Sequence, residues 1–331
     1  MSDVQRAPRI SAWTPPGAPV RALSAAGGEA LKIGLVNNMH GAGFRDADRQ
    51  FRAILHAAAA ESMPELIVQG YVMTDDGPDV AGSRYRPAAA IADEQPDGLI
   101  VTGAEPSTED LRDEAYYPAL TRLIDHAIAR RIPMLFSCLA SHVAVLHLSG
   151  VARRRLARKC HGVLRFDVMG EHPLLADTMG RIAVPHSRWN SLDEGPLTRR
   201  GYRVLAASAR GGVDRFVHDH APGCLFLQGH PEYESASLAL EYRRDVRRYL
   251  TGAAPDYPTM PVGYFDAPTR AALFGLQRAL RRQRDPTGFD SLPLPNEGAA
   301  ARPVWRDHAV RSYRNWLDAV MVGRRSRVGT G

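Results

Sequence analysis

Short apolar runs alternate with amphipathic stretches along most of the chain. Residues 31–37 (LKIGLVN), 65–72 (ELIVQGYV), 98–102 (GLIVT) and 133–137 (PMLFS) are short and β-rich, as buried strands are. Between them, residues 46–60 carry Phe51, Ile54 and Leu55 at helical spacing. Residues 117–131 set Leu120, Leu123, Ile124, Ala127 and Ile128 on one helical face. A further helix is predicted directly after the fourth strand, over 139–148. Strands alternating with helices predict an α/β fold: a mostly parallel sheet with helices on both faces. The pattern breaks down over 153–184, where hairpins or an insertion are expected. It resumes as strands at 202–207, 215–218 and 224–227 and a helix at 235–250. Residues 253–303 are rich in Pro, Gly and Arg, with one helical piece over 269–283, and a last helix is predicted over 312–322.

This gives a leader over 1–30, expected to be disordered, an α/β domain over 31–252, and a C-terminal extension over 253–331 packing on the same domain. The 331 residues are 44% hydrophobic and 24% charged, an ordinary globular balance with no apolar run of membrane-spanning length. Three cysteines, Cys138, Cys160 and Cys224, are too few and too scattered for a disulfide framework or a metal site. With no secretory segment, they point to the cytoplasm. The net charge is +6, but the arginines are interleaved with acids, so no nucleic-acid face is expected. A local basic rim would suit a phosphate-rich small molecule. Lysine occurs only at Lys32 and Lys159 in a chain that otherwise writes its positive charge as arginine.

Cys138 stands where a strand ends and a helix begins. Such an elbow lifts a side chain above the sheet edge and aims the free N–H groups of the helix at it. The Leu139 N–H is then a candidate oxyanion donor. The competing reading is a buried structural cysteine. His230 and Glu232, in CLFLQGHPEYE, follow another apolar strand. They should therefore stand at the same kind of edge, imidazole toward a thiol and carboxylate behind it.

At these residues the chain resembles the homoserine O-acyltransferases of methionine biosynthesis, the succinyltransferase type built on a class I glutamine-amidotransferase-like fold. The similar segments are VNNM (36–39), DGLIVTGAEP (97–106), AYYP (115–118), FSC (136–138), PHSRW (185–189), QGHPEYE (228–234), EYRRDV (241–246), WRDH (305–308) and NWL (315–317). The resemblance implies that Cys138 carries the acyl group, His230 accepts protons and Glu232 completes the triad. It implies amino-acid contacts for Lys159 and Arg244, with Ser187 nearby, and a homodimer. Acyl-CoA enters as co-substrate, and the reaction needs no metal or redox cofactor.

Ser107 occupies the position that in the family helps choose the acyl donor. A small neutral serine there favours succinyl-CoA over acetyl-CoA, because a glutamate would repel the succinyl carboxylate. Glu105, where the family has glycine-alanine-proline, is the competing selector. L-homoserine is the expected acceptor, although serine offers the same hydroxyl. A glutamine amidotransferase-like hydrolase is the second reading; its elbow is flanked by glycines, where this chain has Phe136 and Ala140. A binding protein that kept the fold but lost activity is the third, and the intact Cys, His and Glu set argues against it.

Overall fold

The computed structural model describes residues 30–59, 63, 65–73, 85–287, 289 and 303–328; the expected leader through residue 29 lies outside them. In chain order the strands are β1 (Leu31–Val36), β2 (Leu66–Val72), β3 (Tyr85–Pro87), β4 (Gly98–Val101), β5 (Met134–Ser137), β6 (Arg154–Val168), β7 (Arg181–Ser191), β8 (Tyr202–Ser208), β9 (Gly212–His218) and β10 (Leu225–Leu227). The helices are α1 (Gly41–Ala59), α2 (Ile91–Glu94), α3 (Tyr117–Ala129), α4 (Leu139–Ser149), α5 (Glu194–Arg199), α6 (Ser237–Leu250), α7 (Ala267–Arg282) and α8 (Arg306–Val328).

All ten strands join one sheet, in the order β3-β2-β1-β4-β5-β10-β9-β8-β6-β7. From β3 to β10 every pairing is parallel. From β10 to β7 every pairing is antiparallel. The α/β reading therefore holds, and the irregular stretch from 153 onward is resolved into a long hairpin, β6–β7, that continues to Ser191. That hairpin was hard to read because its arginines alternate with only partly buried residues. β4, β5 and β10 are buried at every position, as strands covered on both faces must be.

One face of the sheet carries α1, α6, α7 and α8, with Phe51, Tyr242, Leu273, Trp305 and Trp316 in one core cluster. The other carries α3 and α4 over Phe136, Phe216 and Phe226, whose rings stack at 5.1 Å. The last helix is twice as long as its apolar pattern suggested and reaches back across the molecule. Arg314 donates to the Ala58 carbonyl at the end of α1, and Arg324 to that of Ala30 ahead of β1. It also explains Gly98, where a Cβ would stand 2.8 Å from Val320 and 3.3 Å from Trp316. Only a glycine lets α8 lie that close to β4.

Candidate active site

The order of the strands brings the site together. The chain leaves the parallel sheet after β5 and α4, builds the antiparallel strands, and returns as β10 beside β5, with Leu227 opposite Ser137. Whatever follows β5 and whatever follows β10 must then emerge side by side at one sheet edge. Cys138 follows β5, and its N–H donates to the Leu227 carbonyl at 2.8 Å. Ser137 donates to Glu232, 95 positions away, at 3.4 Å.

Cys138 has φ 51° and ψ −113°, a left-handed conformation for a residue with a side chain. Such a backbone costs about 1–3 kcal/mol and persists only where its surroundings hold it. Here β5 holds one side and α4 the other. The Leu139 N–H opens α4 next to Gly103, where a Cβ would lie only 2.8 Å from that nitrogen. A side chain at 103 would cover the donor, so glycine keeps it open toward the cavity that both residues line.

His230 is anchored twice. Its N–H donates to the Pro185 carbonyl of β7 at 2.8 Å, and its ring stacks on Tyr233 with centroids 4.3 Å apart. Its Nδ1 lies 2.9 Å from Glu232 Oε1, and the ring also engages the Cys138 thiol. Burial opposes the charged imidazolium. The charges of Cys138 and Glu232 and the hydrogen bonds to both overcome that opposition, and the His230 pKa is raised well above its ordinary value. Glu232 is buried, and its Oε2 has no hydrogen-bond partner among the described residues. An imidazole held between a thiol and a carboxylate can take a proton from one nucleophile and return it to a leaving group.

The other cysteines stand apart from this chemistry. Burial raises the Cys160 thiol, and burial pushes Cys224 up to about 12.

A second cluster lines the same cavity. Lys159, on β6, has a side chain only 6% exposed, with Nζ 2.7 Å from Asp245 and 3.8 Å from Glu241. It is a buried ammonium and not a solvated side chain. Arg244 pairs with Asp245 at 3.0 Å, and Ser187 donates to Glu241. Glu241 also accepts from Tyr233 at 2.6 Å, so the ring that stacks on His230 is tied to the charged cluster. Burial would raise the Glu241 carboxyl; Lys159, Arg244, His161 and Ser187 outweigh it and bring it down to about 2. Two part-buried acids thus neutralise two cations. The sequence reading missed Glu241, Asp245, His161 and Tyr233. Glu241 and Asp245 were legible in principle, one turn apart on a helix beside Arg244.

Ser107 is exposed and does not line the cavity. Its hydroxyl, expected to be available to a substrate carboxylate, donates to Glu114 at 2.9 Å, and its N–H donates to the same carboxylate at 2.7 Å. The buried Glu114 carboxylate draws both groups toward it. Glu105 does line the cavity, paired with Arg248 at 2.8 Å.

The cavity has a volume of about 1930 Å³. Among the described residues there is no metal-ligating cluster and no helix long and apolar enough to cross a membrane.

The comparisons with known proteins converge. The family model for homoserine O-succinyltransferase matches residues 21–325. A homoserine O-succinyltransferase of Methylorubrum extorquens is 40% identical over 88% of this chain and 87% of its own length. That of Rhodopseudomonas palustris is 39% identical over 87% of each chain, and that of Bradyrhizobium japonicum 38% over 91% and 96%. Among solved structures, a glutamine amidotransferase from Methylobacillus flagellatus superposes with a TM-score of 0.49 at 15% identity, over 89% of this chain and 94% of that one. With a family model matching most of its length and relatives 38–40% identical over most of both chains, the chain belongs to the homoserine O-succinyltransferase family and is an acyltransferase.

Proposed function

We propose that the chain transfers succinyl from succinyl-CoA to the hydroxyl of L-homoserine in two steps through a thioester on Cys138. The observation that carries this reading is the juxtaposition of the Cys138–His230–Glu232 array with a charge-balanced cluster around the buried Lys159. In the first step the Cys138 sulfur attacks the donor carbonyl, and the Leu139 N–H faces the developing oxyanion. As the tetrahedral adduct collapses, coenzyme A leaves as a thiol with the proton from His230. In the second step the homoserine hydroxyl gives its proton to neutral His230 and attacks the Cys138 thioester. O-succinylhomoserine leaves and the thiol is restored.

The acceptor is an amino acid with one ammonium and one carboxylate. A cluster of two acids and two bases can exchange its internal pairs for pairs to such a zwitterion without gaining net charge. This supports homoserine recognition by Lys159, Arg244 and Ser187, with Glu241 and Asp245 as the partners that release them. The unpaired thiols and the biosynthetic relatives support a cytoplasmic enzyme.

Intact-protein mass spectrometry after mixing with succinyl-CoA or acetyl-CoA, without acceptor, tests the first step. A stable succinyl adduct that disappears in Cys138→Ala and is discharged by homoserine is the expected result. Turnover with no adduct under any quench would point to direct transfer and remove the intermediate.

A further inference from the structure

The catalytic array and the charged cluster account for only part of the cavity. Its wall continues along the β6–β7 hairpin to a different group of residues. On β7, Ser187 reaches into the charged cluster, and the two-residue period of a strand sets Trp189 on the same face about 7 Å farther along. Trp189 lines the cavity, yet 44% of it remains exposed, unlike the fully buried Trp305 and Trp316. Opposite it the register of β6 is broken between Arg155 and Cys160. Irregularities of this kind re-aim side chains near sites. Here Arg155, Arg158 and Lys159 all reach the cavity wall. The Arg155 guanidinium lies over one face of the Trp189 ring, 5.0 Å from its centroid.

The charge on this stretch differs from that elsewhere along the cavity wall. Lys159 and Arg244 are matched by Asp245 and Glu241, and Arg248 by Glu105. Arg155 and Arg158 are exposed and have no carboxylate partner among the described residues. The platform itself is braced. Arg188, buried on the opposite face of β7, donates to the carbonyls of Asn190, at 2.7 Å, and Gly211, and to His186 at 3.2 Å. The backbone on either side of Trp189 is therefore fixed, and a ligand would have little to order.

A partly exposed indole with one face under the Arg155 guanidinium, and a second unmatched guanidinium on the same cavity wall, fit a ligand with a flat aromatic base and phosphates, since the free face of an indole stacks on bases and guanidinium forks pair with phosphate oxygens. We propose that Trp189, Arg155 and Arg158 form the subsite for the adenine nucleotide end of the coenzyme A thioester, with its thiol arm running along the hairpin toward Cys138. This rests on the acyl-CoA reading above and deepens it by naming the residues that hold the part of the donor that does not react.

Calorimetric titration of the full chain with coenzyme A, its 3′-dephospho form and pantetheine tests the assignment independently of turnover. Trp189→Ala, and separately the double variant Arg155→Met/Arg158→Met, should each weaken coenzyme A binding about tenfold or more. Pantetheine, which lacks the nucleotide, should bind all variants alike, and Trp189→Phe should retain most of the affinity by stacking. Kinetically, the donor KM should rise while the homoserine KM stays unchanged. Coenzyme A binding that is undetectable in the wild type, or equal in wild type and variants, overturns the proposal. So does a change in sedimentation coefficient in Trp189→Ala without loss of binding, which would assign this face to a second copy of the chain. Coenzyme A binding that follows these expectations while no acyl group ever accumulates on Cys138 would refute the covalent mechanism and leave the subsite standing.

Discussion

The parallel and antiparallel halves of the sheet contribute to the site in different ways. At the parallel edge, position is set by the main chain. Cys138 hangs from the Leu227 carbonyl, the Leu139 N–H is kept open by a missing Cβ, and the elbow is locked by the next helix. At the antiparallel edge, position is set by side-chain charges that satisfy each other: Lys159 and Arg244 with Asp245, and Ser187 and Tyr233 with Glu241. Main-chain placement gives the sub-ångström constancy that bond making needs. Paired charges can be traded for a substrate's charges, which recognition needs. The seam between the two is His230, which belongs to the parallel edge by sequence but is pinned by the Pro185 carbonyl of the antiparallel hairpin.

Removing the reacting groups should produce the largest effect and should fall on rate. Cys138→Ala is expected to lose at least about 10⁴-fold in kcat, the scale of a deleted nucleophile, while Cys160→Ser and Cys224→Ser stay near wild type. His230→Asn should fall in the same range and Glu232→Gln less. In Glu232→Gln a charge that raises His230 is gone, so the high-pH limb of donor kcat/KM should move to lower pH. Near-normal turnover in Cys138→Ala, or an unmoved limb in Glu232→Gln, would break the assignment of chemistry to the parallel edge.

Changes at the antiparallel edge should fall on binding. Lys159→Met and Arg244→Met are each expected to raise the homoserine KM more than tenfold with little change in the donor KM, since a charge-assisted contact is worth about 1.5–3 kcal/mol. Lys159→Met should also lower the Tm, because it leaves the part-buried Asp245 and Glu241 with less compensation. Equal effects on both substrates would erase the distinction between the two halves.

The seam predicts a pH effect on stability. Burial, with help from Arg188, pushes His186 down to about 4 against the opposing pull of Asp214. An unfolded histidine titrates near 6.5. As pH falls below that value the unfolded chain takes up the proton first, so stability is lost between about pH 6.5 and about 4 and then levels. Tm measured across that range should fall less steeply in His186→Gln. A residual slope should remain from His161 and His142, lowered to about 4 and about 3 chiefly by their own burial. An identical slope in the variant would mean that His186 is not neutral in the folded state.

The smallest effect expected is on the choice of donor. Because Ser107 is turned to Glu114, Ser107→Glu should act mainly by like-charge repulsion that displaces the 104–108 loop, shifting the succinyl-to-acetyl kcat/KM ratio only a few-fold. Glu105→Gln tests the residue that does line the cavity. If the wild type prefers acetyl-CoA and Glu105→Gln reverses that preference, Glu105 is the selector.

The sequence by itself determined the strands of the parallel half except the short edge strand β3, the elbow at Cys138, and the HPE turn carrying His230 and Glu232. Continuous apolar runs and a strand-to-helix junction are local signals, and no distant contact is needed to read them. It could not show that Ser107 spends its hydroxyl on Glu114, or that Lys159 is buried between Glu241 and Asp245. Nor could the 153–184 stretch, where hairpins or an insertion were expected, show the broken register that sets Arg155 over Trp189. Those arrangements depend on which side chains meet across strands and helices far apart in the chain. A charged residue looks the same in sequence whether water or a buried counter-charge satisfies it, so only the tertiary structure could decide which was the case.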